Sequence, residues 1–277
     1  MRRIDLHIHT TASDGSCSPR EVVELAKALE LAAIAITDHD TTAGFAEAKA
    51  AGDACGVEVV PGIEISTKYF GAVHILGYYI HPDSDALTQL LLWAVDDRDE
   101  RNRKIAELMA ADGLPVSYDA MQQRFGEVIG RPHFAELLVE LGLASDVKDA
   151  FERYMNKGMK YYLPRKILPI ERAIEIIIEA GGIAVLAHPF QYKLEEDRLR
   201  ELIEHCMASG LRGMECRYSG YTPEQSSYLE ALADEYGLLK TGGSDFHGSI
   251  KPQISLGSGA GELSVPYVFL DGLKKNI

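Results

Sequence analysis

Nine residues spread through the sequence have the types and spacing to hold metal ions. His7 and His9 stand two apart in "RRIDLHIHTTASDGS", with Asp14 in the turn that follows. His39 lies in "TDHD", Glu64 in "PGIEIS", His74 in "HILGYYI", His188 in "AHP", and Asp245 and His247 in "GSDFH". Six of the nine histidines in the chain belong to this set, a concentration that scattered core or loop histidines would not produce. Imidazole and carboxylate donors with no thiolate among them suit Mn, Fe or Zn rather than a Cys-rich structural zinc. At about three or four protein ligands per ion, nine residues serve two or three divalent ions. A carboxylate such as Glu64 can bridge two ions about 3.5–4 Å apart. Ions so placed activate water at neutral pH and hold the oxygens of a phosphoryl group in line. Phosphoester hydrolysis is the chemistry this set predicts.

Short strands and helices must bring these residues together. Strand patterns run over "IDLHIH", Ala32 to Thr37, Val57 to Ser66, His74 to Ile80, Ile183 to His188, Leu211 to Tyr218 and Leu238 to Ser244. In the first of them Asp5, His7 and His9 share one face, and Ile4, Leu6 and Ile8 the other. Helices fall between most of the strands. One starts at Pro19 behind a Ser18 cap, one follows Thr41 and Thr42, and one runs from a Thr222 cap to a closing Gly237. This alternation predicts an α/β fold with a largely parallel, barrel-like or open sheet. In such folds sites gather at the C-terminal ends of the strands. The proposed ligands fall there, except His74, which opens its strand.

Between His81 and Leu163 the strand signal disappears and helical patterns take over, among them "YDAMQQRFG", "RPHFAELLVELG" and "VKDAFERYM". So long a connection predicts a small helical insertion, 99–154, lying over the site, with the barrel formed by 1–98 and 155–277. The apolar run "LLLWAV" is expected to pack in the core.

Composition narrows the field. A net charge of −14 argues against a protein that coats nucleic acid, although bound cations would let the site accept a small anion. Cys17, Cys55, Cys206 and Cys216 form no CxxC pair, as expected of reduced thiols in a cytoplasm. Asp5 and His7 interrupt any apolar signal segment, and no apolar run is long enough to span a membrane. Nothing in the sequence calls for an obligatory protein partner.

The ordered motifs "DLHIHTTASDGS", "TDHDT", "PGIEIS", "AHP" and "GSDFH" resemble the PHP (polymerase and histidinol phosphatase) domain family of metal-dependent phosphoesterases. That resemblance implies a distorted (β/α)7 barrel and a trinuclear metal centre; manganese is the expected ion, with iron or zinc as alternatives. It implies one ion held by His7, His9, Glu64 and Asp245, a second by Glu64, His74 and His188, and a third by Asp14, His39 and His247. Asp14 departs from relatives that carry histidine there. Apart from the resemblance, His39, His188 or Asp245 is the expected proton donor to the leaving group, and the residues do not choose among the three.

Within the family, the insertion with "ERNRKIAEL" and "GRPHFA" resembles the nucleoside 3′,5′-bisphosphate phosphatase group. Related members act as 5′→3′ exonucleases on short or structured RNA. Arg101 and Lys104 fall on one helical stripe with Ile105 and Leu108, so basic groups extend an apolar face. Arg131 and His133 fall at a helix start, a favourable place for phosphate. These four, with Asp40 and Asn102, are the expected substrate contacts. The expected reaction removes the 3′-phosphate of a nucleoside bisphosphate. Exonuclease action on short oligonucleotides, histidinol-phosphate hydrolysis and a metal-free binding module are the alternatives.

Overall fold

A computed structural model describes residues 2–125, 129–164 and 166–277. Residues 126–128, inside the predicted insertion and including the last residue of "YDAMQQRFG", lie outside the described residues.

Nine strands form one sheet: β1 (Arg3–Asp5), β2 (Leu31–Ile36), β3 (Glu58–Lys68), β4 (Ala72–Tyr78), β5 (Leu168–Pro169), β6 (Ile183–Leu186), β7 (Gly213–Tyr218), β8 (Leu239–Gly243) and β9 (Val265–Pro266). Their order is β8-β7-β6-β4-β3-β2-β1-β9, with β5 beside the end of β3. Neighbours β1/β2, β2/β3, β6/β7 and β7/β8 run parallel. Strand β4 runs antiparallel to both β3 and β6. The two-residue strands β5 and β9 are too short to leave a periodic pattern, and the sequence reading does not contain them.

The open ends of the sheet meet where the chain continues past β1. Leu6 N–H donates to Gly242 O at 3.1 Å, Asp245 N–H to His7 O at 2.8 Å, and His9 N–H to Phe246 O at 2.9 Å. Seven strands, β1 to β4 and β6 to β8, thus make the nearly closed, distorted barrel that the motifs imply. Gly243 is required at this seam: a Cβ there would run into the backbone nitrogen and Cβ of His7.

Helices α1 (Pro19–Ala28), α2 (Phe45–Cys55), α8 (Glu196–Ala208) and α9 (Pro223–Tyr236) follow strands of the barrel, and α7 (Ile170–Glu179) and α10 (Val268–Lys274) follow the short strands β5 and β9. Ser18 and Glu21 form a capping box at the start of α1, and Thr222 and Gln225 one at α9, which ends at Gly237 with φ 66°. Ile8, Val22, Val23, Ile34, Ile36 and Val59 pack α1 and α2 onto the first strands. Each such side chain contributes about 1.5–3 kcal/mol when fully buried.

The chain divides into two compact units, Met1–Leu91 with Ile167–Ile277, and Leu92–Lys166. Helix α3 (Asp85–Ala111) runs across the first boundary; α4 (Tyr118–Phe125), α5 (Arg131–Glu140) and α6 (Val147–Ala150) complete the second unit. A π-helical turn, Phe151–Met155, continues α6. This unit has its own core of Ile105, Met109, Phe134, Leu138 and Met155. It is wider than 99–154 because α3 is continuous and Tyr161 is buried in the same core. Within "LLLWAV", expected to be core, Leu92 and Val95 are exposed. Among the described residues, no helix is long and apolar enough to cross a membrane.

Candidate metal centre

The direction of β4 accounts for His74. Because β4 is antiparallel, its beginning lies beside Ser66 near the end of β3, at the same end of the sheet as the C-termini of the parallel strands. The loops after β2, β6 and β8 bring His39, His188, Asp245 and His247 to that end, and the extension of β1 brings His7 and His9.

All nine residues named from the sequence are placed together, in four overlapping groups whose ligand atoms lie within 4.8 Å of one another: His9, Asp14, His39, His247; His7, His9, Asp245; His7, Glu64, His188; and His39, Glu64, His74. Glu64, fully buried, is the hub. Its Oε1 lies 3.0 Å from both His74 Nδ1 and His188 Nε2. Its Oε2 lies 3.3 Å from His7 Nε2, 3.2 Å from His9 Nε2 and 3.0 Å from His39 Nδ1. Asp245 Oδ1 is 3.2 Å from His9 Nε2, and Asp14 Oδ1 is 3.3 Å from His247 Nε2. His39 faces both ways, because its Nε2 lies 4.0 Å from Asp14 Oδ2. Asp14 is the exposed member of the set.

Several of these atoms have no hydrogen-bond partner although they are buried: His7 Nε2, both ring nitrogens of His9, His39 Nδ1 and Glu64 Oε2. Buried polar groups are nearly always satisfied. A converging set of orphaned nitrogen and oxygen donors fits divalent cations, and the residues present therefore suit such ions.

Charge within the cluster is finely opposed. Burial resists protonation of His9, but Asp245 and Glu64 outweigh it and raise the ring to about 9. Burial lowers His39 to about 4 despite Glu64 nearby. Burial would raise the carboxyl of Glu64, yet His7 and His39 hold it well below the usual range. The neighbouring carboxylates thus favour a proton on His9, and protonation and cation binding compete for this ring.

A supporting layer was not legible in the motifs. Glu215, fully buried on β7, accepts from His7 Nδ1 at 3.1 Å and from the His188 N–H at 2.8 Å. It thereby fixes the His7 tautomer that leaves Nε2 for a ligand. The signal available was a lone carboxylate in an otherwise apolar strand segment, "MEC". Tyr218 Oη and Lys251 Nζ both donate to Asp245 Oδ2, at 2.7 and 2.8 Å, leaving Oδ1 for the cluster. Asp5, on the face shared with His7, accepts from Ser244 N–H and Gly257 N–H and pins the seam. His188 and Asp245 have positive φ, 24° and 57°, as does Asp40 at 52°. Such backbone strain gathers at functional sites.

The remaining expected contacts divide. Asp40 Oδ1 accepts from Ser66 N–H at 2.9 Å, tying the His39 loop to β3. In the second unit, Asn102 is fully buried, donating to Ile129 O at 2.7 Å and accepting from Arg101. His133 Nδ1 accepts from Gly130 N–H at 2.9 Å and its ring stacks on Phe125. Lys104 pairs with Glu100, which also takes Lys166. Asn102 thus has its amide oxygen and nitrogen engaged within the unit, whereas His133 engages Nδ1 there. Arg131 lies over the rings of Phe151 and Tyr162 and donates weakly to Met155 O at 3.4 Å. No carboxylate among the described residues pairs with Arg131.

Known proteins bear on this geometry. A 5′-3′ exoribonuclease of Haemophilus influenzae is 37% identical over 247 residues, 89% of this chain and 90% of that protein. A 3′,5′-nucleoside bisphosphate phosphatase of Chromobacterium violaceum is 35% identical over 250 residues, 89% of this chain and 88% of its own length. The solved structure of a Bifidobacterium adolescentis protein assigned as a metal-dependent phosphoesterase superposes with a TM-score of 0.77 at 33% identity, covering 98% of this chain and 95% of the other. The PHP domain model matches residues 5–207, which include seven of the nine clustered residues. By its barrel, its cluster and this match, the chain belongs to the PHP domain family.

Proposed function

We propose that this PHP-domain hydrolase removes the 3′-phosphate from nucleoside 3′,5′-bisphosphates, releasing a nucleoside 5′-phosphate and orthophosphate. The observation that carries the reading is the convergence of orphaned imidazole and carboxylate atoms on Glu64. Two or three divalent ions, manganese foremost, would be held by His7, His9, Glu64 and Asp245, by Glu64, His74 and His188, and by Asp14, His39 and His247. Such ions supply Lewis-acid neutralisation of phosphoryl oxygens and lower the pKa of water. His39, His188 and Asp245, the proton donors expected from the sequence, all direct ligand atoms into the cluster, so in this reading they hold ions first. Glu215 orients His7, and Tyr218 with Lys251 orients Asp245. In this reading Arg131, a cation with no carboxylate partner among the described residues, is the contact for the second phosphate, and Arg101 is a further candidate contact. The 35% identity to the bisphosphate phosphatase over most of both chains supports the substrate. Four free thiols fit a reducing compartment such as the cytoplasm.

Chromatography of products from adenosine 3′,5′-bisphosphate and the manganese-loaded protein tests the reading. AMP and phosphate are expected, without adenosine. Adenosine 3′-phosphate as the main product would reverse the binding direction. The exoribonuclease relative favours a second reading, 5′→3′ exonuclease action. Stepwise release of mononucleotides from a 5′-phosphorylated oligonucleotide, with little action on the bisphosphate, would select it.

A further inference from the structure

A cavity of about 510 Å³ opens at the C-terminal end of β7, walled by Tyr218, Tyr221, Ser226, Glu262 and Leu263. Its volume falls within the roughly 300–1,000 Å³ of small-molecule sites. One wall is shared with the metal centre: Tyr218 donates to Asp245 Oδ2, and its ring lies 5.3 Å from that of His188. The Tyr221 ring is 5.2 Å from Tyr218 and 5.4 Å from Phe190, so an aromatic cluster extends from the cavity lining toward His188.

The polar groups of the cavity are unsuited to phosphate. Arg217, the cation in its lining, is neutralised by Glu230 at 2.6 Å and also donates to Ser264 O. The start of α9, an anion site in other contexts, is closed on itself: Gln225 N–H donates to Thr222 Oγ1, and Thr222 N–H to Gln225 Oε1. Glu262 adds a further carboxylate. What remains is an aromatic wall with hydroxyl and carboxylate acceptors, which suits a flat, uncharged heterocycle bearing amino groups.

We propose that this cavity is a nucleobase subsite, receiving the base of the nucleotide on which the metal centre acts and of its 5′-phosphate product. The inference rests on the nucleotide reading above and adds to it the place where the base is held. Calorimetric titration of the manganese-loaded protein with AMP and with ribose 5-phosphate tests it without turnover. Wild-type protein should bind AMP about tenfold more tightly, in keeping with base–aromatic stacking. Ser226→Trp and Leu263→Trp, which add bulk at two lining positions of the cavity, should each erase that preference. Ribose 5-phosphate affinity and metal content should stay unchanged. Equal wild-type affinities for the two ligands would overturn the proposal. So would a preference that survives in the variants, or an equal loss on both ligands. The wild-type comparison stands even where a variant fails to fold. Base-dependent binding through this cavity without hydrolysis of adenosine 3′,5′-bisphosphate would sink the phosphatase reading alone. Hydrolysis without base preference would sink the subsite alone.

Discussion

In the barrel unit, His7 Nε2, both His9 nitrogens, His39 Nδ1 and Glu64 Oε2 are buried without partners. In the helical unit the polar side chains singled out by the same sequence reasoning are largely satisfied from within: Asn102 by Ile129 O, His133 by Gly130 N–H, Lys104 by Glu100. A buried polar atom left unpaired costs about 1–3 kcal/mol. The barrel carries that cost several times over, and a bound cation would offset it; the helical unit carries little of it. The contrast is between ligand atoms left open in the barrel and polar atoms largely taken up within the helical unit.

The sharpest way to break the contrast is to remove a ligand. His9→Asn or Asp245→Asn should lower metal content and reduce phosphate release by at least about a thousandfold, beyond the roughly ten- to hundredfold typical of a supporting residue. Far-UV circular dichroism should be retained. Full turnover by demonstrably metal-free protein would end the metal-dependent account. Next comes Glu215→Gln, which keeps the shape but weakens the acceptor for His7. Metal affinity should fall about ten- to hundredfold, and an unchanged affinity would reduce Glu215 to a packing residue.

Arg131→Ala moves the test to the other unit. Loss of one charge-assisted contact, roughly 1.5–3 kcal/mol, should lower kcat/KM for adenosine 3′,5′-bisphosphate about ten- to hundredfold. Action on p-nitrophenyl phosphate should change far less; equal losses would show that Arg131 serves the shared phosphate or the fold. The smallest effect belongs to Asn102→Ala. It should lower stability by about 1–3 kcal/mol in denaturant unfolding, since Ile129 O loses its donor. Its kcat on p-nitrophenyl phosphate should match wild type. A kinetic defect in a fully folded variant would erase the distinction between the two units.

The sequence made the clustered residues legible because each sits in a short local motif next to a strand end, where type and spacing carry the information. Strand positions were legible within a few residues for the same reason. What escaped depends on distant partners. The reversal of β4, which admits His74, follows from a hairpin whose strands each read as ordinary alternation. Glu215 becomes meaningful only once β7 lies beside His7, 208 residues away. The helix start at Arg131 was visible, but not that the His133 ring would turn back onto Gly130, because cap geometry depends on rotamer choice. Two-residue strands such as β9 exist only because a partner edge is present.

The barrel seam has a consequence for the order of assembly. Asp5 and Ser244, which close it, are 239 residues apart, so this contact brings together nearly the two ends of the chain. Contacts of such separation are entropically expensive to form and slow to nucleate. The residues flanking them, His7, His9 and Asp245, are the ones that share a cation in the proposed centre. An ion there acts as a rivet driven after the last plate is in position: it contributes little to how quickly the barrel rolls up, and much to how slowly it springs open.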